Sequence, residues 1–207
     1  YGKGKRGDEL PAELARRESR LAKIRAAKAA LEAEAQATPD PKAQRNFTDS
    51  ESRIMKDGAT KSFVQADTAQ VAVGGEAQVL GAADVTPEAN DKRQLVPMLT
   101  AVTTNCAAAP AVASADSGYC SEAALTDPAL AGIALHVAPD RHKHGEAPAP
   151  PHPAAGTVID AMRAKLQTGA GRAVSALRKT IVEPVFGQSK AGPQAFRRFS
   201  FRGVGKV

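Results

Sequence analysis

Alanine supplies 43 of the 207 residues, close to half of all apolar side chains, and this limits the core the chain can build. A methyl group removes little apolar area from water, so burial per residue falls below that of a Leu- or Phe-rich domain. Large anchors are few: no Trp, two Tyr (Tyr1 and Tyr119) and six Phe. Such a chain is expected to be only marginally stable. Its length suits one ordinary domain, or one with a long arm, rather than two full cores. No run of 18 apolar residues occurs, so no membrane-crossing helix is expected. There is no charged-then-apolar N-terminal segment, and two cysteines are too few for a disulfide scaffold or a zinc module. These features read as cytoplasmic.

The net charge of +6 is unevenly spread. Residues 1–36 hold 9 basic and 6 acidic groups, residues 57–135 hold 3 and 9, and residues 157–207 hold 10 and 2. An acidic centre between basic ends fits a polyanion-handling protein whose centre keeps carboxylates for another purpose, such as binding metal. It also fits ordinary scatter over a solvated surface.

Asp8, Glu9 and Pro11 mark a helix start. From there to Gln36 the residues are mostly Ala, Glu, Lys, Arg and Leu, all good helix formers. Leu10, Leu14, Leu21, Ile24 and Leu31 form one narrow stripe, interrupted by Arg17 and Lys28, so this helix is expected to project or to pair with another. Two prolines between Thr38 and Pro41 end it. A polar stretch follows. From Phe63 the period changes to two, with Gly74-Gly75 as a tight turn before Val79, Leu80 and Val85, which predicts a hairpin. Asp91 to Thr104 is helical in pattern with a kink expected at Pro97, Ala111–Ala115 and Ile133–Val137 read as short strands, and Ser121–Leu125 as a short helix. A Pro- and His-rich loop covers 139–156. Two helical segments follow, about 157–168 and 172–190, separated by Gly169 and Gly171, and a basic Phe-rich tail closes the chain. The order hairpin, helix, strand, helix, strand, helix predicts an α/β fold with a mixed sheet.

Two carboxylates stand out. Asp116 closes a predicted strand and precedes Ser117-Gly118. Ligand sites in open α/β sheets collect at such strand ends, although Asp-Ser-Gly is also ordinary turn chemistry. Glu183 shares a helix face with Arg172, Lys179 and Lys190, at spacings of 7, 4 and 7, opposite Val174, Leu177, Ile181 and Val185. A carboxylate framed by cations suits a metal ligand flanked by phosphate-binding groups, or a salt-bridged surface. Pro184 disfavours helix at Glu183.

The segment GRAVSALRKTIVEPVFGQSK, with ASADSGYCSEA upstream, closely resembles the insertion-sequence DDE transposases of bacteria. KAQRNFTDSESRIMK and the opening helix look like the same family's preceding region. The resemblance implies a ribonuclease-H-like core in which three acids hold two Mg²⁺ or Mn²⁺ ions for phosphodiester cleavage and strand transfer at transposon ends. By match, Asp116 is the second acid and Glu183 the third, both as metal ligands and catalytic residues. Arg178 and Lys190 match DNA-contacting residues, and Arg172, Lys179, Arg197 and Arg198 join them as expected DNA-binding positions. The family's first acid lies on the first core strand, usually in Asp-Gly-Thr, and no such motif occurs here. Ser175 stands at the signature tyrosine position, and Asp84, the nearest substitute acid, matches a non-catalytic one.

The expected architecture is therefore a ribonuclease-H-like mixed sheet lacking its first, central strand, with a long N-terminal inserted helix. The arm and helix occupy 1–37, a partial core 38–138, the loop 139–156, and the glutamate helix with the basic segment 157–207. Two strands without main-chain partners and two acids instead of three predict a chain that is inactive and only partly folded alone. The family would add self-association in a transposition complex. The competing expectation is a non-catalytic basic DNA-binding remnant. Among weaker signals, His142, His144 and His152 lack a partnering carboxylate or thiol and read as loop. The tail Phe196–Arg202 interleaves aromatics and arginines, as nucleic-acid binders do and as packed basic segments also do.

Overall fold

The computed structural model describes residues 10–37, 44–46, 49, 51–57, 60–140 and 156–191. They fall into two compact units, one before Thr68 and one from Thr68 onward.

In the first unit the helix expected from the opening segment is α1 (Leu10–Ala37). Ala27 is buried, while Leu21 and Ile24 of the stripe are exposed. Glu34 on α1 accepts from Arg45 at 2.5 Å and lies 3.9 Å from Arg53, and the Arg45 hydrogen bond holds its carboxyl below the usual range. Within the stretch expected to be merely polar, β1 (Arg53–Lys56) pairs antiparallel with β2 (Phe63–Ala66). Four residues with Ile54 and Met55 side by side give too little alternation to be read as a strand.

The second unit carries the expected order of elements. β3 (Thr68–Val73) and β4 (Leu80–Thr86) form the predicted hairpin. Its connection is longer than a Gly-Gly turn. Gly74 N–H donates to Val79 C=O at 2.8 Å, and Gln78 N–H to Gly74 C=O at 3.1 Å, so Val79 belongs to the loop. Helix α2 (Leu95–Cys106) follows. Pro97 is its third residue, where a missing N–H costs nothing because first-turn donors have no partner in the helix.

β5 (Val112–Ala115) then pairs with β6 (Ala134–Val137) in parallel, through α3 (Glu122–Leu125) and a 3₁₀ turn at Pro128–Leu130. Ser121 caps α3 by accepting from Ala124 N–H, and Asp127 caps the 3₁₀ turn. α4 (Val158–Gln167) and α5 (Gly169–Ala191) close the described part. The chain is mixed α/β. Among the described residues no strand joins β3–β4 to β5–β6, so this unit holds two separate strand pairs.

The core of this unit is aliphatic, as the composition dictates. Leu95, Leu99, Cys120, Ala124, Leu130, Leu135, Val137 and Met162 form it, with Tyr119, Ile133 and Ile159 partly buried around them. Val137 on β6 is fully buried. Burial pushes the Cys120 thiol up, which keeps it a packing group rather than a nucleophile.

The two glycines expected to separate the last helices act differently from each other. Thr168 alone makes the corner: its hydroxyl donates to Lys165 C=O at 2.7 Å and accepts from Gly171 N–H at 3.0 Å. Gly169 already belongs to α5. Gly171 is a close-approach residue, since a Cβ there would stand 2.2 Å from Lys165 O and 2.7 Å from Leu166 Cα.

Candidate functional site

Asp116 lies one residue beyond the C-terminal end of β5, where the sequence placed it. Its Oδ1 accepts Gly118 N–H at 2.9 Å, and Tyr119 N–H donates to its main-chain oxygen at 3.2 Å. The turn chemistry is therefore real, and it leaves the side chain exposed. A second carboxylate comes to the same place. A Cβ on Gly118 would lie 3.0 Å from Asp91 Oδ2 and 3.1 Å from Asp116 Oδ1, so both acids come close to this glycine and a side chain there would have to shift them by a few tenths of an ångström.

Asp91 was assigned by its sequence to a helix start. It sits instead in a turn, with Gln94 N–H donating to its carbonyl at 2.9 Å, and α2 begins four residues later. That frees its side chain to accept from Gln70 Nε2 at 2.6 Å. Gln70, in β3, is 1% exposed, and its Oε1 takes the Tyr119 hydroxyl. Both ends of the buried amide are thus satisfied. Burial pushes the Tyr119 phenol up to about 12, and the charges of Asp91 and Asp116 add to the shift. The outcome is a carboxylate pair at a strand end, backed by a neutral Tyr–Gln relay. No signal in the polar run around Asp91 marks it, because the contact to Gln70 spans 21 residues.

Helix α5 packs against β5 and β6. Arg172, Lys179, Glu183 and Lys190 are all exposed, in agreement with a shared outer face. Arg172 donates to Gln167 C=O at 2.6 Å, and Lys190 Nζ stands 5.5 Å over the Phe186 ring. Arg178 is half-buried, and Glu183 forms no ion pair among the described residues. Val174, Ile181 and Val185 are half-buried as expected, but Leu177 is 56% exposed. It faces a shallow hollow with Gly75–Gln78, Thr180 and Ile181. Arg197, Arg198 and the three loop histidines lie outside the described residues.

Pro184 does not break α5. Its missing N–H leaves the carbonyl of Thr180, four residues back, without a helical donor. Gln78 of the hairpin loop supplies one from its Nε2 at 3.3 Å. The proline that weakens the helix is thus the point at which the loop attaches.

Carboxylate oxygens suit a hard cation such as Mg²⁺. A two-metal centre needs more of them: among the described residues no three His, Cys, Asp or Glu side chains come together as ligands would. Asp116 and Asp91 are neighbours, whereas no contact joins Glu183 to either. The described residues do not make a two-metal centre, and no catalytic step follows through one. No helix among the described residues is long and apolar enough to cross a membrane. No family model, no curated protein and no solved structure matches the chain.

Proposed function

We propose that this chain is a DNA-handling domain of the DDE transposase type which, by itself, does not complete a catalytic centre. The observation that carries the reading is the pairing of Asp116, at the end of β5, with an α5 packed on the same two strands and showing Arg172, Lys179, Glu183 and Lys190 to solvent. Cations along one exposed helix face neutralise phosphates and release their condensed counterions, which gives sequence-independent binding that weakens with salt.

The separation of β3–β4 from β5–β6 agrees with a ribonuclease-H-like sheet without its central strand. A strand-cleavage assay with Mg²⁺ or Mn²⁺ tests the catalytic half of the proposal. No cleavage is expected, and cleavage that disappears in Asp116→Ala would contradict it. The second reading, a non-catalytic basic DNA-binding remnant, is favoured by the partnership of Asp116 with Asp91 rather than with Glu183. The two separate on Mn²⁺: a thermal shift lost in Glu183→Gln supports the transposase-type site, and binding that responds to salt alone supports the remnant.

A further inference from the structure

β3 covers one side of β4, and among the described residues no strand pairs with the other. The strand LGAADVT carries neither Lys nor Pro, and Leu80 at its start is 52% exposed. An edge of this composition is an open template for a further strand.

Two of its main-chain groups are nevertheless occupied by side chains. Val85 N–H donates to Asp84 Oδ1 at 2.8 Å, and Gly81 C=O accepts from Asn105 Nδ2, on α2, at 2.9 Å. Gly81 is the residue bulged out where Ala72 faces Ala82 and Val73 faces Leu80. In an antiparallel ladder the N–H and C=O of one residue point to the same side, and successive residues alternate. Ala83 and Val85 are then residues whose groups turn away from β3, and at the bulge the Gly81 carbonyl turns away with them, toward Asn105.

These three are self-complementary. If a second copy paired antiparallel about Ala83, Ala83 would face its own counterpart and Gly81 would face Val85. The Val85 N–H of each copy would then bond to the Gly81 C=O of the other, and those are the two groups that Asp84 and Asn105 occupy. We propose that Asp84 and Asn105 guard β4 against pairing with a second copy of this chain. Asp84, the nearest substitute acid by sequence, has this role at the sheet edge, and the inference is independent of the DNA-handling proposal.

The test compares the full chain with Asp84→Ala/Asn105→Ala in sedimentation velocity across a concentration series. The double variant is expected to shift to twice the mass at concentrations where the parent does not. Adding Ala83→Pro should abolish the shift, since proline removes an outward N–H without removing a β3–β4 bond. An unchanged mass in a folded double variant, or association that survives Ala83→Pro, overturns the proposal. A measurement on the unaltered protein covers the case of a variant that does not fold. After correction for intrinsic rates, the Val85 amide should exchange about five-fold or more slowly than the Ala83 amide, the factor for one hydrogen bond of typical net strength. Equal rates would show that no guard exists.

Discussion

Among the described polar side chains of the second unit Gln70 is the most completely buried, and its two partners define the candidate site. Tyr119→Phe removes the donor to its Oε1 and leaves a buried acceptor unmet, an expected loss of about 1–3 kcal/mol in urea unfolding at neutral pH. The same residue carries a pH signature. The folded phenol titrates about 12, above its ordinary value of 10.0. The folded state therefore holds a proton that the unfolded state gives up between those limits. Its contribution is fully present below pH 10 and is lost as pH rises through about 12. The stability gap between the parent and Tyr119→Phe should narrow over that window, and a gap constant from pH 9 to 12 would rule out this role for Tyr119. At Gly118 a methyl group would press on both carboxylates, so Gly118→Ala is expected to shift Asp91 or Asp116 by a few tenths of an ångström and weaken the Gln70 bond.

Among the elements, α5 and the β3–β4 loop are joined through a vacancy in the helical ladder. Gln78→Ala should cost about 1 kcal/mol by removing the donor to Thr180 C=O. In a Pro184→Ala background the helix supplies its own donor at residue 184, so the same change should cost much less. A double-mutant cycle checks this, and additive effects would mean the two features are unrelated. At the α4–α5 corner, Gly171→Ala forces a methyl group into main-chain atoms and is expected to destabilise by about 1–3 kcal/mol. The sequence announced most of these elements: the long helix by propensity, the hairpin by its change of period, the short strands by apolar runs. It misled where a local rule met a longer contact. Pro97 read as an interruption within a helix from Asp91, whereas α2 begins at Leu95 and holds Pro97 in its first turn. The run from Phe47 to Lys56 lacked the alternation by which β1 would be recognised, and Leu177 matched the inward stripe yet faces an open hollow.

For the molecule as a whole, the alanine content has a visible consequence: among the described residues the buried cluster of the second unit contains no Phe, and its aromatic neighbour Tyr119 is only partly buried. Leu, Val and Met carry the burial, so single truncations there should be costly relative to a small total. The candidate site was half legible. Asp116 and the α5 face could be read because each follows a local pattern, a strand end or a helical period. Asp91 and Gln70 could not, because they meet across a turn and a strand and no spacing encodes that contact.

The central claim is that the exposed cations of α5 hold nucleic-acid phosphates. Its most direct test is duplex DNA binding by fluorescence anisotropy over a series of salt concentrations. The comparison is between the parent and a folded Arg172→Gln/Lys179→Gln/Lys190→Gln variant. Each phosphate contact contributes about 0.9 to the slope of log affinity against log salt. The slope is expected to fall by two to three in the variant, with weaker binding to every sequence tried. Absence of DNA binding by the parent, or an unchanged slope in the variant, would contradict it.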